Sequence, residues 1–214
     1  MSLKAITIPA SASVPQGLVV LLHGWGANAQ DVQDLAPYMN LPNYQYVFPD
    51  APFPHPYNPV GKMWYDLIAE FQFESTPGFI DRPDLSASRQ ALTDFLQQLP
   101  ETTGIPLSRT ILGGFSQGGA MTLDVGLKLP LAGLMVLSGY LHAPLPVETH
   151  PPVLMVHGKQ DPVVPLKAAQ NARDYLDTKG LAVKYQEFDN MGHEISPPAL
   201  HQMQVFVNTI LGNL

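Results

Sequence analysis

Short apolar runs alternate along the chain with longer segments in which apolar residues recur every three to four positions. Val19 to Leu22 is wholly apolar and stops at His23-Gly24; Tyr44 to Phe48, Thr110 to Leu112, Leu134 to Leu137, Val153 to Val156 and Val183 to Phe188 are the other runs of strand length. Runs as apolar as the first are expected where both faces of a sheet are covered. The helical patterns are Gln30 to Met39, Leu85 to Leu99, Gly118 to Leu129, Leu166 to Lys179 and Pro198 to Leu211. In the second, Leu85, Leu92, Phe95, Leu96 and Leu99 share one stripe, behind a Pro83 suited to a first helical turn. Strands and helices in alternation mean βαβ units, so the expected class is α/β: a mostly parallel central sheet with helices on both faces. No repeat or charge block divides the 214 residues, a length that suits a single domain over 1–214.

One stretch breaks the alternation. Residues 49–83 hold Pro49, Pro52, Pro54, Pro56, Pro59, Pro77 and Pro83 together with Phe53, Tyr57, Trp64, Tyr65, Phe71, Phe73 and Phe79. Proline at this density excludes regular ladders, while so many aromatics argue against disorder. The segment reads as an ordered excursion packed over something. It also accounts for part of a proline content, 22 residues, that is about twice the usual ~5%.

Composition narrows the function classes. There is no cysteine, which removes disulfides, thiolate nucleophiles, zinc-thiolate sites and cysteine-linked lipids. A formal net charge of −7 argues against nucleic acid or an anionic membrane as partner. No apolar run approaches the ~18 residues of a membrane span, and Met1 to Pro15 lacks a charged n-region followed by an apolar core. The expectation is a soluble cytoplasmic protein with no stable membrane anchor.

The chemistry is concentrated in Gly114-Phe115-Ser116-Gln117-Gly118, a G-x-S-x-G sequence lying between a predicted strand and a predicted helix. That context marks a tight elbow that lifts a serine nucleophile out of the sheet and aims helix N–H groups at developing negative charge. Serine needs a base oriented by a carboxylate. Downstream, His193 lies in the turn-rich Asp189-Asn190-Met191-Gly192-His193-Glu194, whereas His157 ends a strand and reads as structural. His142 and His150 fall in a proline-rich connector and His201 in the last helix, so all three read as surface residues. Asp161 follows the fifth strand run in a Gly-Lys-Gln-Asp-Pro turn and is the preferred acid; Asp189 is its competitor. For the oxyanion, the N–H groups of Trp25, in His23-Gly24-Trp25-Gly26, and of Gln117 are the candidate donors. His23 precedes the serine in the chain and reads as structural.

These blocks, with Met63-Trp64-Tyr65-Asp66, Leu137-Ser138-Gly139-Tyr140-Leu141 and Gly192-His193-Glu194, run in order from about residue 18 to residue 195. The chain thereby resembles the acyl-protein thioesterase/carboxylesterase (phospholipase/carboxylesterase) family of α/β-hydrolases. The resemblance implies an α/β-hydrolase fold with Ser116 as nucleophile, His193 as base and Asp161 as acid. It further implies that the loop around Met63, Trp64 and Tyr65 lies over the acyl site and binds substrate, and that no cofactor or metal takes part. Substrates would be esters or thioesters of short to medium acyl chains, including lysophospholipids or S-acylated proteins, turned over by a monomer or homodimer. Trp25 stands where the family usually has leucine, and the arginine common before the Trp-Tyr-Asp block is replaced by Gly61-Lys62-Met63. A peptidase or amidase of small substrates, or a non-catalytic ligand receptor on the same fold, are the competing readings.

Overall fold

In the computed structural model the described residues are 3–67, 73 and 78–212. The six apolar runs become strands β2 (Leu18–Leu22), β3 (Gln45–Pro49), β6 (Thr110–Phe115), β7 (Gly133–Leu137), β8 (Val153–Gly158) and β9 (Val183–Phe188), and a further strand, β1 (Ala5–Ile8), joins them. They form one seven-stranded sheet in the order β1-β3-β2-β6-β7-β8-β9. Every neighbouring pair is parallel except β1 on β3. Two-residue strands β4 (Phe53–Pro54) and β5 (Lys62–Met63) make a separate antiparallel hairpin.

Pleating sorts the central strands into two cores. Leu18, Val20 and Leu22 pack with helices α3 (Pro83–Thr103), α4 (Gln117–Gly126) and α5 (Leu166–Thr178). Val19 and Leu21 pack instead with α1 (Ala29–Gln33), α2 (Ala36–Met39) and α6 (Pro197–Leu211). The sheet is thus covered on both sides, which is why its middle strands carry no polar alternation.

Three local outcomes differ from the hydrophobic pattern. The single helix expected over residues 30–39 is two short ones; Leu35 caps the second, and Pro37 sits inside its first turn. Helix α3 runs four residues beyond the stripe before Gly104, at φ 73°, ends it in the left-handed conformation. Strand β1 was not signalled, because an edge strand of four residues with every position at least partly exposed has little apolar pattern to show.

Candidate active site

The elbow forms where β6 turns into α4. Ser116 is held at φ 55°, ψ −117°, a conformation costing a non-glycine residue about 1–3 kcal/mol, of the kind found at functional sites. The flanking glycines are demanded by contact. A Cβ on Gly114 would sit 2.3 Å from the Gly118 carbonyl carbon, and one on Gly118 would sit 2.5 Å from Leu22 O. The elbow therefore packs onto itself and onto the end of β2, with Ser116 at the carboxyl edge of the sheet.

Two loops from the same edge bring partners to it. Asp161 follows β8, and its Oδ1 accepts the N–H groups of Val163 and Val164, both at 2.8 Å. Its Oδ2 accepts from His193 Nδ1 at 2.8 Å. Burial alone would raise the Asp161 pKa, but the His193 bond and the two amides outweigh it and hold the carboxyl below its usual range. An ionised Asp161 can only accept, so Nδ1 carries the proton. His193 Nε2 is left as acceptor, 3.0 Å from Ser116 Oγ. The competitor Asp189 is largely exposed and paired with Lys159 at 2.7 Å. The structure joins Asp161, not Asp189, to His193.

The His193 loop has its own seat. Gln160 N–H donates to Met191 O at 3.1 Å, and Met191 is buried in the core. Gly158, at the end of β8, has Met191 O only 2.1 Å from where a Cβ would be. This close approach was not read from the sequence, although Gly158 precedes the acid turn.

The two candidate oxyanion donors belong to peptides whose carbonyl ends are pinned. Gly24 O accepts from His23 Nδ1 at 2.7 Å and from Ala27 N at 3.3 Å. Ser116 O accepts from Ala120 N at 3.1 Å. A planar trans peptide points its N–H away from its C=O, so Trp25 N–H and Gln117 N–H both face away from these bonds. A Cβ on Gly24 would lie 3.4 Å from Ser116 Cβ, which sets the Trp25 loop against the serine. His23 is buried, takes the Ala51 N–H on Nε2 at 3.0 Å, and has the structural place expected of it.

Of the three residues implied to bind substrate, Met63 is half-buried, whereas Trp64 and Tyr65 are fully buried. Their polar groups are engaged by protein. Trp64 N donates to Gln117 Oε1 and Gln117 Nε2 donates to Tyr65 O, each at 2.8 Å. Trp64 Nε1 donates to His23 O at 3.1 Å. Neither side chain exposes surface to solvent. Of the proline-rich excursion, Phe71 and Pro77 lie outside the described residues.

His142 corrects the sequence reading. It is buried rather than on the surface, with Nδ1 2.8 Å from Asp124 Oδ2 and Nε2 2.8 Å from Tyr65 Oη. The chain continues to Tyr140 Oη at 2.6 Å and, through Asp124, to Arg89 at 2.7 Å. Desolvation lowers the His142 pKa. Burial would lift Asp124, yet His142 and Arg89 bring it down to about 2. His157 is buried as expected and hydrogen-bonds Val164 O, while His150 and His201 are exposed.

A parallel-dominated sheet with a strained serine elbow, and with an acid and a histidine delivered from later strand ends, defines an α/β-hydrolase. The chain belongs to the phospholipase/carboxylesterase family, which matches residues 3–211, and it is a hydrolase acting on esters. It is 34% identical over 200 residues to an acyl-protein thioesterase 1 of Neurospora crassa, covering 86% of this chain and 80% of the relative. An acyl-protein thioesterase 1 of Schizosaccharomyces pombe is 30% identical over 211 residues, 91% of each chain. The crystal structure of esterase PE8 superposes with a TM-score of 0.89 at 32% identity, covering 98% of this chain and all of that one. Among the described residues no helix is long and apolar enough to cross a membrane.

Proposed function

We propose that Ser116, His193 and Asp161 are the catalytic triad of a two-step acyl transfer, with the Trp25 and Gln117 N–H groups as its oxyanion hole. The unbroken line from Asp161 through His193 to Ser116 Oγ is the observation that carries this reading. His193 Nε2 takes the Ser116 proton as Oγ attacks the acyl carbonyl, and the oxyanion is held by the two N–H groups. His193 returns the proton to the leaving alcohol or thiol, which departs as the acyl-enzyme forms. Water, deprotonated by the same Nε2, then releases the acid and restores Ser116. Each oxyanion donor contributes about 2.7–4 kcal/mol in the transition state.

Oxygen esters and thioesters of short to medium acyl chains are the substrates we infer. The thioester arm is favoured by the names of the two fungal relatives. Met63, half-buried at the hairpin end, is the substrate contact left open by the burial of Trp64 and Tyr65.

Purified protein should be labelled by a fluorophosphonate and should hydrolyse p-nitrophenyl butyrate, and Ser116→Ala should lose both without a loss of thermal stability. Retained turnover in that variant, against a mock-purified blank, would overturn the assignment. A series from acetyl to palmitoyl esters with matched thioesters and an aminoacyl amide then ranks the substrates.

A further inference from the structure

One segment of chain, residues 58–65, bonds beside both oxyanion peptides, to Gly26 and Ala27 just after Trp25 and to the side chain of Gln117. At the Trp25 side, Gly26 N–H donates to Lys62 O at 2.9 Å and Lys62 N–H donates to Ala27 O at 2.7 Å. Asn58 Nδ2 donates to Gly26 O at 2.9 Å. Gly61 lies so close that a Cβ there would be 2.4 Å from Gly26 O. At the Gln117 side, the carboxamide of that residue closes a two-point clamp on Trp64 N and Tyr65 O. The far end of the segment is locked because Tyr65 Oη lies inside the buried chain of hydrogen bonds through Tyr140, His142 and Asp124. One segment thus ties the chain next to the Trp25 donor to the side chain of the residue that bears the other donor.

We propose that residues 58–65 are a brace that presets both oxyanion donors, with the Asn58 side chain and the Gln117 carboxamide as its two clamps. Asn58, Trp64 and Tyr65 are then positioning residues, and the Gln117 side chain serves its own backbone N–H. This rests on the reading of Ser116 as nucleophile, and it reassigns Trp64 and Tyr65 from substrate contact to preorganisation. The energetic logic is that an oxyanion hole works only if its dipoles need no reorganisation as charge develops. A displacement of about 1 Å in such a group costs about 100-fold in rate.

The test uses Asn58→Ala, Gln117→Met and Trp64→Phe, each of which removes hydrogen-bonding groups while keeping most of the packing. Steady-state kinetics on p-nitrophenyl butyrate are compared with inhibition by the trifluoromethyl ketone bearing the same acyl chain, whose hemiketal oxygen occupies the hole. A brace predicts kcat lower by about 10- to 100-fold with KM within about twofold. The ketone Ki should rise in proportion to the loss in kcat/KM. A rise in KM with kcat unchanged would mean that the segment contacts substrate and would overturn the proposal. Unchanged kcat in folded variants, with only a lower Tm, would make the contacts merely structural and overturn it equally. Should Gln117→Met fail to fold, Asn58→Ala carries the same readings at the other clamp, where it withdraws the Nδ2 donor from Gly26 O without adding a charge. Wild-type protein that resists fluorophosphonate would instead remove the nucleophile reading itself, so the two failures are distinguishable.

Discussion

Asp161 shows how one side chain sets the direction of proton flow. Its Oδ1 is committed to Val163 N–H and Val164 N–H, so only Oδ2 is free to face His193. In Asp161→Asn the carbonyl oxygen would stay on the two amides, and the NH2 would be turned to Nδ1. His193 would then have to accept at Nδ1 and carry its proton on Nε2, facing Ser116 Oγ with a donor instead of an acceptor. We expect kcat on p-nitrophenyl butyrate to fall by about 10⁴-fold with KM little changed, the loss that a wrong imidazole tautomer brings in a serine triad. A fall of less than tenfold would mean that Asp161 does not set the tautomer. Trp25 carries a different lesson. Its ring stands edge-to-face against His55, with centroids 4.0 Å apart, so its bulk rests on the β4–β5 hairpin.

At the scale of elements, the site is a meeting of strand ends, and the tolerance at each junction is set by backbone approach. Gly158→Ala would put a methyl group 2.1 Å from Met191 O. A carbonyl in the main chain cannot rotate away as a side chain would, so the loop bearing His193 must lift. The Gln160 N–H bond to Met191 O would break with it. The variant should keep its far-UV spectrum, while kcat drops by about 100-fold or more as Nε2 leaves reach of Oγ. Gly104→Ala is the control. That position, at φ 73°, has open space around it, so alanine should cost about 1 kcal/mol of stability and leave kcat unchanged. A Gly158→Ala enzyme as active as Gly104→Ala would refute the seat. These junctions also mark what the sequence could and could not reveal. The apolar runs of β2, β6, β7 and β8 were legible because burial on two faces leaves no ambiguity of period. Ser116 and Asp161 were legible as candidates because each sits in turn chemistry just past such a run, and His193 because it sits in a turn-rich loop after β9. Gly158 and Asn58 were not, since their importance lies in contacts with loops more than 30 residues away in the chain. His142 was misjudged because proline-rich surroundings suggest surface, whereas its burial depends on Tyr65 and Asp124 arriving from other elements.

Across the whole molecule, three buried histidines give the fold a common response to acid. Burial is the main cause that lowers the pKa of His23, His142 and His157 from the ordinary value of 6.5. The bonding agrees in each case. His23 Nε2 accepts the Ala51 N–H, His142 Nε2 faces the Tyr65 hydroxyl while Nδ1 serves Asp124, and His157 Nδ1 is buried with no hydrogen-bond partner among the described residues. Protonating any of them in the fold would place a charge or an unmet donor in the interior. Unfolding frees all three to take up protons at about pH 6.5. Below that pH the unfolded chain binds more protons than the folded one, so their contribution is complete above about pH 6.5 and is lost as the pH falls. A second loss sets in below about pH 4, where Asp124, held at about 2 in the fold, would be protonated in the unfolded chain. Each histidine contributes at most about 1.4 kcal/mol per pH unit, and the three together about 4. The Tm should therefore be level from pH 8 to 7 and decline from pH 6.5 to 5, with unfolding at pH 5.5 accompanied by net proton uptake. A Tm that is flat or rising over that interval, measured by calorimetry in buffers of matched ionisation enthalpy, would show that these histidines are charged in the folded protein and would contradict the bonding described for all three.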